Sequence, residues 1–233
     1  MWTRTYDTSY TNVSQKVAVD DAGRVYVAGW EDWMSYNCGG GQPRLCYYSH
    51  PVALCYDSAG NGQWTNSYLG VGGIPWGETV AVLPDHQGNV YVASNESLDG
   101  RIVKIASDGQ TGWLNPGPGS AVYGPALDSD GNVYYTGRAT AKLRSTDGSE
   151  AWLHYEGWYR GQGIALDSAG GVYVSGVTNA PSGDDIATIK YDTDGLRYDK
   201  TVSSPAKTTL YHYNMSGKLV AEGDGSNNTV TAN

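Results

Sequence analysis

Ile164-Ala165-Leu166-Asp167-Ser168-Ala169-Gly170-Gly171-Val172-Tyr173-Val174-Ser175-Gly176 reads as two short strands around an acidic turn. Apolar residues lie on both sides. Asp-Ser-Ala-Gly between them is hairpin chemistry, with glycine supplying the positive φ of the turn. The first part of this stretch recurs three times. The copies are Val17-Ala18-Val19-Asp20-Asp21-Ala22-Gly23-Arg24-Val25-Tyr26, the segment from Val80 through Asp85 and Gly88 to Tyr91, and the segment from Pro125 through Asp128 and Gly131 to Tyr134.

A second half-unit follows each copy: another strand, an Asp/Ala-Gly turn, then Trp four residues on. It stands as Ala53 to Gly60 with Trp64, Ile102 to Gly109 with Trp113, and Lys142 to Gly148 with Trp152. The fourth copy, Ala187 to Gly195, has Tyr198 near the Trp place. The anchor tyrosines Tyr26, Tyr91, Tyr134 and Tyr173 are 65, 43 and 39 residues apart. The last two spacings suit a four-stranded propeller blade of roughly 40–50 residues. One such blade leaves both faces uncovered, and stacking blades covers them. The expected fold is therefore all-β, a β-propeller of about four recognisable blades with a short C-terminal β-hairpin tail. Repeats fill residues 1–202, with units near 17–70, 80–117, 123–158 and 164–202. Val17, Val19, Val80, Val82, Leu127, Ile164 and Leu166 should share equivalent inner strands, and Trp64, Trp113 and Trp152 should be buried at matching places. Residues 1–8, with Trp2-Thr3-Arg4-Thr5-Tyr6-Asp7, read as a stray outer strand. Both a small closed ring and part of a larger one fit, and the mid-unit start favours a fragment.

The units resemble the bacterial propeller repeat known as SBBP, with its D-x-x-G-x-V-Y-V-x-G core. That core stands here as Asp20 to Gly29 and Asp167 to Gly176, and more loosely as Asp128 to Gly137. The second unit departs from it, with Ser94 at the glycine place. NHL and PQQ-type propellers look similar too. The resemblance implies an exported or surface-attached bacterial protein and brings no common catalytic residue. From about Ser203 the pattern changes. Tyr211-His212-Tyr213-Asn214-Met215-Ser216-Gly217-Lys218-Leu219, within a tail of residues 203–233, resembles one YD repeat of the RHS family, with Asn214 in place of Asp. A plain hairpin turning at Ser-Gly explains the same residues.

Composition limits the partners. Hydrophobic residues make up 39% of the 233 and charged ones 17%, enough for a packed core. The net charge of −9 repels phosphate backbones and anionic lipid, which argues against nucleic acid. No run of 18 apolar residues is present, so no membrane span is expected. No signal peptide opens the chain, and the location expected is extracellular or cell-surface, as a fragment or mature form. The histidines His50, His86, His154 and His212 sit at non-equivalent places in the repeat, unlike the converging set of a propeller lyase. Gly70-Val71-Gly72-Gly73 lacks the third glycine of a dinucleotide loop, and the Asp128 and Asp192 turns lack the remaining ligands of a calcium loop. The expectation is no catalytic residue, no metal and no cofactor. The rival class is a propeller enzyme, a lyase or a quinone-dependent dehydrogenase. A third is a structural piece of an RHS/YD-type toxin or adhesin.

One insertion, about Glu31 to Pro51, interrupts a single unit. It holds Trp30, Trp33, Tyr36, Tyr47, Tyr48 and His50, with Cys38 and Cys46 between them. Loops on a rigid scaffold are where binding concentrates, and Tyr and Trp offer rigid contact area. This sequence-based reading makes those six residues the candidate binding set for a protein or glycan ligand. Folding of the loop over the blade edge is the competing reading. Cys38 and Cys46 are close enough in sequence to bridge in an exported protein.

Overall fold

The computed structural model describes residues 1–8, 11–36, 45–67, 77–96, 99–155, 159–180, 183–203, 206–213, 219–224 and 229–232, with backbone alone at several strand positions, 33–36 and 45–48 among them. Among the described residues all regular structure is β. The first sheet holds β1 (Thr11–Val19), β2 (Val25–Tyr36), β3 (Leu45–Tyr56) and β4 (Gly62–Asn66). The second holds β5 (Gly77–Pro84), β6 (Val90–Glu96), β7 (Asp99–Ile105) and β8 (Thr111–Asn115). The third holds β9 (Val122–Leu127), β10 (Val133–Gly137), β11 (Ala139–Leu143) and β12 (Glu150–Tyr155). The fourth begins with β13 (Tyr159–Leu166), β14 (Val172–Ala180), β15 (Gly183–Tyr191) and β16 (Arg197–Ser203). It continues, still antiparallel, through β17 (Ala206–Tyr213), β18 (Leu219–Asp224) and β19 (Thr229–Ala232). Each sequential run of four is one propeller blade, and the C-terminal strands extend the last.

The repeated Asp, Gly and Tyr belong to one hydrogen-bonded unit. In the third blade the Asp128 backbone accepts from Gly131 N and donates to Asn132 O, closing the hairpin. Asp128 Oδ1 accepts from the backbone N of Asp130 (3.0 Å) and of Asn132 (2.9 Å), so the side chain locks its own turn. Its Oδ2 accepts from Asn132 Nδ2 (2.9 Å) and from Tyr134 Oη (3.1 Å), six residues on in the next strand. Tyr26 and Tyr173 donate to Asp20 and Asp167 in the same way, at 3.1 Å each. The spacing D-x-x-G-x-V-Y is thus the length of one closed turn. A cation covers the tyrosine: Lys142 Nζ stands 5.1 Å from the buried Tyr134 ring and Lys190 5.0 Å from the half-buried Tyr173. In the first blade Cys55 takes the lysine place and Arg24 covers Tyr26 instead, at 5.9 Å.

This turn carries a pH dependence. Burial raises the Asp128 carboxyl, but the hydrogen bonds from Asn132 and Tyr134 and the charge of Lys142 outweigh it and hold the group below its ordinary range. A carboxyl depressed in the folded state adds stability above its unfolded pKa, about 4 for Asp, and loses it as the pH falls through the lower folded value. Asp128→Ala should cost about 2 kcal/mol near neutral pH, because it orphans several donors at once. The gap between the urea midpoints of parent and variant should be smaller at pH 3 than at pH 7; a gap that stays constant on acidification would refute the role of the charge.

The chain divides into two compact units. One is Met1–Val122 with Thr146–Gly148, and the other is Tyr123–Ser145 with Ser149–Asn233. In the first unit, Val82, Val90, Val92, Val103 and Ile105 on one face of the second blade pack on Tyr26, Ala28, Ala53 and Cys55 of the first. In the second unit, Val172, Val174, Ile189 and Tyr191 of the fourth blade pack around Tyr134 and Trp152 of the third. Within each unit the later blade turns one face, its leading face, to the trailing face of the blade before it; the equivalent face of the first blade is likewise its leading face.

The seven named aliphatic residues all lie on first strands. The pairing corrects one alignment. Val82 opposes Val92 as Val17 opposes Val27, so Val82, not Val80, is the equivalent of Val17. Leu83 and Pro84 then hold the places of Ala18 and Val19, opposite Tyr91 and Val90.

Each tryptophan sits against its own blade's tyrosine and over the turn glycine of the next blade. Trp64, Trp113 and Trp152 lie 6.0, 5.7 and 6.0 Å from Tyr26, Tyr91 and Tyr134, centroid to centroid. A methyl group added at Gly109, Gly148 or Gly195 would come within 2.6, 2.5 and 2.6 Å of Trp64, Trp113 and Trp152. The places match as expected. The burial differs: Trp113 is buried, whereas Trp64 and Trp152 are half-buried.

Candidate functional site

The described parts of the insertion are paired strand. Its residues prolong two strands of the first blade, so β2 and β3 reach 12 residues each, against five to nine for their counterparts in the other blades. The register runs without a shift through Glu31↔His50, Asp32↔Ser49, Trp33↔Tyr48, Met34↔Tyr47, Ser35↔Cys46 and Tyr36↔Leu45. Aromatic residues interleaved with polar ones suit a two-stranded ribbon. At its base, Ser49 Oγ donates to Asp32 Oδ1, and Glu31 and His50 are half-buried cross-strand partners.

The structure separates the six candidate residues. Trp30 is 3% exposed, and its six-membered ring lies over Gly77 at the start of the second blade. It joins two blades. His50 stands at the ribbon's base. The backbone brings Trp33, Tyr36, Tyr47 and Tyr48 together as two neighbouring strands, and their side chains lie outside the described residues. The same holds for the bridge between Cys38 and Cys46. Cys55 is a free thiol in the core between the first two blades, where burial pushes it up to about 11.

Beside the ribbon's base, on the leading face of the first blade, lies a cleft of about 350 Å³. Trp2, Tyr6, Val13, Trp30, Leu54 and Tyr56 contribute to its wall. Sequence reading gave Trp2 and Tyr6 to a strand. Residues 1–8 have no strand conformation here, and instead lie along the first blade through side-chain contacts. Burial first, then the Glu31 carboxylate, push the Tyr6 phenol above its ordinary range. Among the described residues no three His, Cys, Asp or Glu side chains converge as a metal site would require. Among them, too, no helix is long and apolar enough to cross a membrane.

No protein-family model matches the chain, and comparison with curated proteins finds no match. Solved structures match at the level of fold. Dipeptidyl peptidase 4 of Porphyromonas gingivalis is 11% identical with a TM-score of 0.51, over 91% of this chain and 33% of that one, so the chain spans about a third of its length. A protein of unknown function from Bacteroides caccae gives 13% identity and a TM-score of 0.46, over 82% and 81% of the two chains. BamB from Moraxella catarrhalis gives 11% and 0.44, over 90% and 73%. At such identities the likeness is one of fold alone.

Proposed function

We propose that the chain is a non-catalytic propeller module that binds a protein or glycan ligand, within an exported or cell-surface bacterial protein built from SBBP-type repeats. The observation that carries this reading is the β2–β3 ribbon. It extends one blade of four, so blade packing does not require it, and it gathers Trp33, Tyr36, Tyr47 and Tyr48 on paired backbone. Two-stranded ribbons standing off a sheet are marginal on their own and are held by their base or by what they touch. A glycan ring or an extended peptide suits a tyrosine- and tryptophan-rich ribbon.

Glu31 and His50 are direct partners, so an Asn-Gly turn can replace Asp32–Ser49 and close the hairpin there. Glycan and protein arrays probed with the parent and with this variant should give hits for the parent alone, while both melt within a few degrees of each other. The same hits for both proteins would overturn the assignment. A second reading, a structural segment of an RHS/YD-type toxin or adhesin, has one observation in its favour. The tail strands β17–β19 extend the fourth sheet through main-chain pairing, Asp199↔Leu210 to Ser203↔Ala206 at the junction.

A further inference from the structure

The leading face of the first blade differs from its equivalents by being uncovered at its inner end. Val17 is 67% exposed and Val19 59%, whereas Val82, which holds the Val17 place in the second blade, is 8% exposed. An apolar row of this kind marks a surface that takes a partner. The outer end of the same face is covered: Val52 and Leu54 are 5% and 8% exposed.

What lies near that outer end is Trp2, and its contacts are those of a blade tryptophan. Trp2 Nε1 donates to Ser58 O at 3.1 Å, and Trp152 Nε1 donates to the equivalent Thr193 O at 3.3 Å. The Trp2 ring is 5.8 Å from Tyr56, and the Trp152 ring is 5.8 Å from the equivalent Tyr191. A methyl group at Gly60 would meet Trp2 at 2.5 Å, as one at Gly195 would meet Trp152 at 2.6 Å. Two residues further on, Arg4 Nε donates to Gly60 O (2.6 Å), where Asn66 and Asn115 donate to Gly109 O (2.7 Å) and Gly148 O (2.9 Å). Trp2-Thr3-Arg4 thus holds the seat of an outermost strand on the first blade. The fourth blade has its own outermost strand, β16, and does not need this one.

We propose that the leading face of the first blade is a docking surface for a three-stranded sheet of the repeat's own kind, which takes residues 2–6 as its fourth strand. Its trailing face would present a Tyr and small apolar residues, as Tyr26, Ala28 and Ala53 do for the second blade. Those residues would cover Val17 and Val19 and fill the cleft behind Trp2. The cleft is then space between blades, and the ligand of the ribbon is a separate matter.

The chain itself supplies a probe of that chemistry. A copy of residues 77–112 is joined directly ahead of Trp2, so that Trp2-Thr3-Arg4 follows Gly112 as Trp113-Leu114-Asn115 does. A second graft carries residues 99–112 only. The reporter is maleimide labelling of a Val17→Cys thiol, with Cys38→Ser and Cys46→Ser in the background. The ungrafted chain should label freely. The three-stranded graft should slow labelling at least tenfold, and Ala93→Asp within the grafted copy should restore it. Free labelling in both grafts would overturn the proposal. So would protection of the ungrafted chain that rises with its concentration, since a second copy would then be the occupant.

Discussion

Trp113→Ala is expected to remove about 3–5 kcal/mol of folding stability, the usual cost of truncating a buried indole. This ring is the best enclosed of the three blade tryptophans, at 8% exposure. Tyr91 lies on one side and the Gly148 turn on the other, and Asn115, two residues on, donates to Gly148 O from the same strand. Truncation empties the space between the Tyr91 ring and the Gly148 turn. Trp64→Ala and Trp152→Ala should cost less, because both rings keep an edge in water. Urea unfolding followed by far-ultraviolet circular dichroism measures the three midpoints against the parent. Equal losses at all three positions, or a Trp113 variant as stable as the parent, would break the link between enclosure and cost.

Gly148→Val tests the other side of the same contact and should cost about 3 kcal/mol or more. Two effects combine. The residue sits at φ +70°, where a β-branched side chain is strained by about 1–2 kcal/mol. Its Cβ would also stand 2.5 Å from the Trp113 ring, which must leave its seat. Gly119 separates the two, since it has φ +68° with nothing within 4 Å of a built Cβ. Gly119→Val should therefore show the backbone part alone. In the double variant Trp113→Ala/Gly148→Val, the clash disappears with the ring, so the combined loss should fall short of the sum by about 1–3 kcal/mol. Strict additivity would mean that the ring and the turn do not meet.

The blade was legible in sequence because its signals coincide in one small structure. Asp128, Gly131 and Tyr134 keep their spacing since one carboxylate binds the turn and the tyrosine together. What failed to show was anything set by a distant partner. The two-residue misalignment of the second copy came instead from the local pattern, which Val80, Ala81 and Val82 match, although Val82 and Val17 both stand nine residues ahead of their anchor tyrosines. Glycines 39–41 and Pro43 made the insertion look like a loop, although the alternation on either side carries a ribbon. Trp30 looked like a free aromatic because its cover, Gly77, lies 47 residues on. The seat of Trp2 was invisible for the same reason: Ser58 and Gly60 are about 56 residues away.

That distance has a consequence for synthesis. The partners of Trp2 and Trp152 lie 56 and 41 residues downstream. A ribosome releases the chain from the N-terminus at roughly 5–20 residues per second. Each indole therefore spends a few seconds outside the exit tunnel before the glycine turn that covers it has emerged. Until that turn emerges, each of Trp2, Trp64, Trp113 and Trp152 stays unseated, and its strand is finished by a glycine turn further along the chain. Slow codons placed before that point would prolong the exposure, while slow codons placed about one tunnel length after a glycine turn would let the lock close first.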